Sequence, residues 1–136
     1  MATVLVDANV LLDILTDDDT WEPWSAAALT KAAESSLLAI NPIIFAEISI
    51  GFDRIEDLDA VLPNQLLRED LPWDAAFLAG KAFETYRRRG GAKSVPLPDF
   101  YIGAHAAVRG YSLLTRDVQR FRFPGLQLIT PSDADP

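Results

Sequence analysis

Val4-Leu5-Val6-Asp7-Ala8-Asn9-Val10-Leu11-Leu12 is the stretch from which the fold can be read. Val4 to Val6 is apolar without alternation, the pattern of a strand buried on both faces, and such strands belong to parallel sheets covered by helices. Asp7 stops the run. Val10, Leu11 and Ile14 then fall at helical spacing, with Asp7 or Asn9 placed to cap the free N–H groups of the first turn. A strand that ends in an acid and turns directly into a helix is the opening of a βαβ unit.

The same alternation continues along the chain. Asp17-Asp18-Asp19 reads as a solvated loop and Glu22 to Glu34 as an amphipathic helix anchored by Trp21, Trp24 and Leu29. Leu37 to Ile40 is a second strand. Asn41-Pro42 after it is a helix start, because Asn caps well and Pro at the first helical position gives up an N–H that has no partner there. That helix runs to about Phe52, with a further turn or two around Glu56 to Asp59 and a weaker strand over Gln65 to Arg68. Pro72-Trp73-Asp74 introduces a helix with Ala76, Ala79, Gly80 and Phe83 on one stripe, which runs out into Arg87-Arg88-Arg89-Gly90-Gly91. Gly90 to Pro98 is a loop. Asp99 starts a helix that Gly110 ends, Tyr111 to Thr115 is a strand leading to Asp117, and Leu126 to Ile129 is the last strand before a polar tail over about 130–136. The expectation is one α/β domain over residues 1–136 around a parallel sheet, with right-handed crossovers placing helices on both faces.

Composition narrows the function. The 136 residues are 49% hydrophobic and 24% charged, enough to bury a core. A net charge of −8 argues against a surface that is basic throughout. The charge is divided along the chain: residues 1–68 hold 12 acids and 3 bases, residues 69–136 hold 8 acids and 9 bases. Acidic composition also serves solubility alone. With no Cys and a single His, thiolate and His-rich metal sites are excluded, and a bound cation would be a hard one held by oxygen, such as Mg²⁺ or Mn²⁺. The start has no basic segment before its apolar residues and no apolar run is long enough to span a bilayer, so a cytoplasmic protein with no membrane partner is expected.

In parallel α/β sheets the ligand crevice lies beyond the carboxyl ends of the strands, where the strand order reverses. Asp7 and Asp117 both follow strands. Each, like Asp99 at a helix start, has an ordinary alternative as a cap or turn residue. Glu47 is harder to explain, since its helical neighbours Ile43, Ile44, Ile50 and Gly51 make an apolar face, and a carboxylate there needs a partner or a cation. A looser helix in which Glu47 reaches water or a base is the other explanation. Taken together, the four acids suggest one site. Converging carboxylates raise one another's pKa and are stable mainly around a divalent cation, which suits phosphodiester hydrolysis by an activated water.

Val6-Asp7-Ala8-Asn9-Val10-Leu11-Leu12-Asp13, Phe45-Ala46-Glu47, Leu97-Pro98-Asp99-Phe100-Tyr101-Ile102-Gly103-Ala104 and Leu114-Thr115-Arg116-Asp117 resemble the four acid-bearing motifs of PIN-domain ribonucleases, in particular the VapC toxins of toxin–antitoxin pairs. The resemblance covers essentially the whole chain, in motif order. It implies a three-layer α/β/α sandwich with a central parallel sheet, Mg²⁺- or Mn²⁺-dependent endoribonuclease activity and inhibition by a VapB-like antitoxin. Carried over, Asp7, Glu47, Asp99 and Asp117 are the catalytic and metal-binding acids, and Asn9 and Thr115 orient them. Asp13 has no such match and is assigned to a helix surface. A homodimer is expected.

Arg87, Arg88, Arg89 and Lys93 are candidate RNA phosphate contacts, with Arg116, Arg120 and Arg122 flanking Asp117 as a second group. Cations at a helix C-terminus also stabilise the helix itself. Trp21, Trp24 and Tyr101 have the faces to stack on bases, but their spacing favours packing in the core or between subunits. His105, six residues past Asp99, turns away from that acid and is assigned a structural role. Two rival readings remain. One is a phosphatase-like hydrolase of the haloacid-dehalogenase type, for which the second Asp is replaced by Asn9, a residue that cannot transfer a proton. The other is a non-catalytic α/β interaction module with a degenerate acidic site.

Overall fold

The computed structural model describes residues 1–90, 97–118, 121 and 125–131. Lys93, Arg120, Arg122 and the end of the polar tail lie outside the described residues.

Five strands form one parallel sheet: β1 (Ala2–Val6), β2 (Ser36–Ile40), β3 (Leu66–Arg68), β4 (Ser112–Leu114) and β5 (Gln127–Ile129), in the order β3-β2-β1-β4-β5. Six helices connect them: α1 (Ala8–Leu15), α2 (Glu22–Ser35), α3 (Pro42–Ser49), α4 (Ile55–Val61), α5 (Trp73–Arg88) and α6 (Leu97–Arg109). The expected parallel α/β sheet is present. From β1 the chain steps one way to β2 and β3, then returns to β4 on the opposite side of β1. Right-handed crossovers therefore place α1 to α4 on one face and α5 and α6 on the other. The packing of α1 on α2 and of α5 on α6 agrees.

The core forms where the apolar strands meet those helices. Leu5, Val6, Ala39, Ile40, Leu113 and Leu114 are buried in the middle of the sheet against Val10, Ile44, Ile48 and Ile102. Burying a Val, Leu or Ile side chain contributes about 1.5–3 kcal/mol, so continuous apolar strands are the main driving force. A second small cluster, Ala75, Ala79 and Ala104 with Phe100 and Tyr101, lets α5 and α6 approach closely.

Local signals match the caps. Asp7 caps α1 by accepting from Ala8 N at 2.8 Å, and Asn41 caps α3 by accepting from Ile44 N at 2.9 Å. Two boundaries differ from expectation. Helix α3 ends at Ser49 rather than near Phe52, with Ser49 Oγ donating back to Phe45 O at 2.7 Å, a contact that competes with helix continuation. Helix α6 starts at Leu97, two residues before Asp99, so Asp99 sits inside the first turn. Gly110 ends α6 at φ 71, the left-handed region. A Gly110→Ala variant is expected to lose about 1–2 kcal/mol, measurable as a lower denaturant midpoint with an unchanged slope.

Asp13 is corrected by the structure. It is 3% exposed rather than on a helix surface. Its Oδ2 accepts from Ser25 Oγ at 2.8 Å and from Arg116 Nε at 2.7 Å, while Oδ1 accepts from Arg116 Nη2 at 3.1 Å. The Arg116 guanidinium also lies over the Trp21 ring, 5.2 Å from its centroid. A helix acid becomes a buried anchor because an arginine 103 residues along the chain reaches it from the end of β4.

Candidate active site

The strand order reverses at β1 and β4, so the crevice of this sheet opens beyond the ends of those two strands. Asp7 follows β1, and Thr115, Arg116 and Asp117 follow β4. Asp7 N donates to Leu114 O at 2.9 Å, which prolongs the pairing of the two strands and brings the acid beside Thr115.

The Thr115 hydroxyl is the centre of this end of the sheet. It donates to Asp7 Oδ2 at 2.8 Å and accepts from Asn9 Nδ2 at 3.2 Å and from Asp117 N at 3.1 Å. One donor and two acceptor positions are the full capacity of a hydroxyl. Asn9 is fixed at its other end, where Oδ1 accepts from Arg116 N at 3.4 Å. Asp7 and Thr115 are both 0% exposed, so their mutual bond is not exchanged for water.

Glu47 and Asp99 share a groove. Glu47 on α3 and Asp99 in the first turn of α6 line one open groove with Pro42, Ile43, Ile50 and Pro98. Glu47 Oε1 is shut off from solvent, and Asp99 is 3% exposed. The expected apolar face is split: Ile44 is buried in the core, whereas Ile50 is 87% exposed. Asp7 and the Asp117 backbone share the Thr115 hydroxyl, and Glu47 and Asp99 share one groove. Among the described residues, no group of three or more His, Asp or Glu stands close enough to hold a metal ion. The donor chemistry nonetheless fits a hard cation, since buried carboxylate oxygens without sulfur or imidazole are what Mg²⁺ and Mn²⁺ prefer.

The basic candidates separate too. Arg116 is committed to Asp13, which raises its pKa through the hydrogen bond to that carboxylate. Arg87, Arg88 and Arg89 are exposed at the end of α5, where Arg87 lies over Phe83 and Arg88 pairs with Glu84 at 3.6 Å. Trp21 meets Trp24 edge to face at 6.4 Å and Tyr101 O–H donates to Pro72 O at 3.1 Å, so these rings serve packing. His105 is fully buried, as its structural assignment requires. The Asp13–Ser25–Arg116 group was not visible from local spacing; its one sequence signal was an Asp three residues after Val10, on the stripe that faces inward.

Among the described residues no helix is long and apolar enough to cross a membrane. A search of curated proteins returns no match. Among solved structures, VapBC2 from Rickettsia felis bound to a DNA fragment from its promoter is similar at a TM-score of 0.77 and 21% identity, covering 96% of this chain and 99% of that one. DNA-bound VapBC from Salmonella typhimurium is similar at 0.72 and 22%, covering 96% and 98%. VapC20 from Mycobacterium tuberculosis, a sarcin-ricin loop cleaving toxin, is similar at 0.65 and 10%, covering 91% and 98%. A family model described as PIN domain matches residues 4–124, a span that takes in all four acids and the strand reversal between β1 and β4. The chain belongs to the PIN domain family.

Proposed function

We propose that this chain is a metal-dependent endoribonuclease and the toxin of a toxin–antitoxin pair, acting in the cytoplasm. The observation that carries the reading is Asp7, a buried carboxylate at the strand reversal that is oriented by Thr115, where a PIN domain places an acid. PIN domains are generally nucleases. The similarity to VapBC complexes and to an RNA-cleaving toxin supports RNA as substrate and a VapB-like antitoxin as partner.

Asp7, Glu47, Asp99 and Asp117 would hold Mg²⁺ or Mn²⁺. A bound ion supplies an activated water and stabilises charge on the attacked phosphate. The chain's own residues do the rest. Thr115 and Asn9 fix the rotamer of Asp7, so a carboxylate oxygen points one way before RNA arrives. Arg87 to Arg89 offer phosphate contacts that hold a strand without reading its bases. A second copy of the chain completes the proposed homodimer.

The test is cleavage of structured RNA by the purified chain with Mg²⁺ or Mn²⁺, alongside calorimetric titration with Mn²⁺. The expected result is cleavage that chelation stops, with Mn²⁺ binding lost in Glu47→Gln. No Mn²⁺ binding by the wild-type chain, with no cleavage, favours the interaction module instead. A Thr115→Val variant is expected to keep the fold and lose about 10–100-fold in cleavage rate, the usual cost of removing a group that orients a metal ligand. Rate constants against a matched circular dichroism spectrum check it.

A further inference from the structure

A chain of polar groups, buried at Asn41 and His105 and partly buried at Glu69 and Tyr111, links α3, α6 and the end of β3. Asn41 is 2% exposed, and its Oδ1 accepts from Ile44 N at the start of α3. Because a backbone N–H requires an oxygen opposite it, the atom facing His105 Nδ1 at 3.0 Å is Asn41 Nδ2. An NH₂ group only donates, which makes Nδ1 the acceptor and leaves the imidazole proton on Nε2. Nε2 faces Glu69 Oε1 at 3.4 Å, and Tyr111 O–H donates to Glu69 Oε2 at 2.7 Å. Glu69 follows β3, its N–H donating to Ile40 O at 2.9 Å. The contacts on both imidazole nitrogens thus specify one tautomer.

The position of this link matters because of what the joined helices carry. Asn41 caps α3, which bears Glu47, and His105 lies on α6, which bears Asp99. Those two acids line one groove. We propose that neutral His105 is a positioning residue for the acidic site: its Nδ1 lone pair holds the Asn41 cap and thereby the spacing of Glu47 and Asp99. The proposal rests on the reading of those acids as site residues given above.

Protonation would undo the link. An imidazolium has an N–H at Nδ1, aimed at the Asn41 NH₂, and two donors cannot share that contact. Asn41 escapes only by rotating, which withdraws Oδ1 from Ile44 N and uncaps α3. Four charged or titratable groups bear on His105. Glu69 after β3 and Asp74 on α5 favour the cation, Arg109 on α6 opposes it, and Tyr111 is held by Glu69. Burial outweighs the acids and lowers the His105 pKa from its usual 6.5. A depressed pKa means the unfolded chain binds more protons, so the link is intact above pH about 6.5 and is lost as pH falls through the folded-state value.

The experiment uses ¹⁵N-labelled full-length chain, in which His105 is the single His and gives an unambiguous imidazole signal. The neutral ring is expected as the Nε2–H tautomer, with a titration midpoint below 6.5. Three variants separate the roles. His105→Asn supplies an oxygen near the Nδ1 position and is expected to restore most of the Mn²⁺-dependent RNA cleavage while flattening its acid limb. His105→Leu is expected to lose about 10-fold or more at every pH. Asn41→Asp keeps the cap but favours the imidazolium, so the His105 midpoint should rise. An Nδ1–H tautomer, or equal Ile44 amide exchange and equal cleavage in the Asn and Leu variants, overturns the proposal. If the wild-type chain cleaves no RNA, the nuclease reading fails, and the tautomer and the Ile44 exchange rates still decide the link.

Discussion

Asp7→Asn is expected to abolish RNA cleavage while leaving the fold in place. The amide oxygen can still cap α1 by accepting from Ala8 N, as Asp7 Oδ1 does at 2.8 Å. The other end of the side chain changes from acceptor to donor. It would then face the Thr115 hydroxyl, which already accepts from Asn9 and Asp117 and would have no acceptor left for its own proton. The variant thus loses a charge at the proposed cation site and the orientation of what remains. Removing an outer partner of a metal ligand costs about 10–100-fold, so losing the ligand itself should cost more than about 100-fold. Single-turnover cleavage with excess protein and Mn²⁺ measures this. Cleavage within tenfold of wild type would remove Asp7 from the site.

The largest stability effect is expected at Arg116, and it should exceed the effect at its partner. Arg116→Met leaves the Asp13 carboxylate, 4% exposed, with only Ser25 Oγ among the contacts described above. Breaking a buried pair from that side costs about 3–5 kcal/mol. Asp13→Asn leaves the Arg116 side chain, 30% exposed, free to turn toward water over the Trp21 ring. That variant should lose roughly 1.5–3 kcal/mol, the range for a hydrogen bond to a charged group. Urea unfolding of the two variants side by side tests the asymmetry, and equal losses would refute it. Folded Arg116→Met should still cleave RNA if the arginine is an anchor rather than a phosphate contact.

The strands are legible in the sequence because their signals are local. Val4 to Val6 and Leu37 to Ile40 are continuous apolar runs, and each is followed by a capping residue, Asp7 or Asn41, that the structure uses as such. Asp99 was displaced by two residues into the first turn because Leu97-Pro98 can itself open a helix, proline being at home in the first turn. Asp13 was misplaced for a different reason. Its partner Arg116 lies 103 residues away, and no window of sequence contains both. Position beside Asp117 makes Arg116 a candidate phosphate contact; the structure gives its fork to Asp13. The shared groove of Glu47 and Asp99 is likewise beyond the sequence, since it depends on how α3 and α6 lie against each other.

The bonds that organise this end of the sheet are among the longest in sequence. Thr115 to Asp7 spans 108 residues and Arg116 to Asp13 spans 103. During synthesis, then, the acid at position 7 is made early but lacks its Thr115 bond until β4 and the residue after it have left the ribosome. Closing such distant contacts is the slow part of folding. Any product released before Thr115 lacks the oxygen on which the arrangement turns.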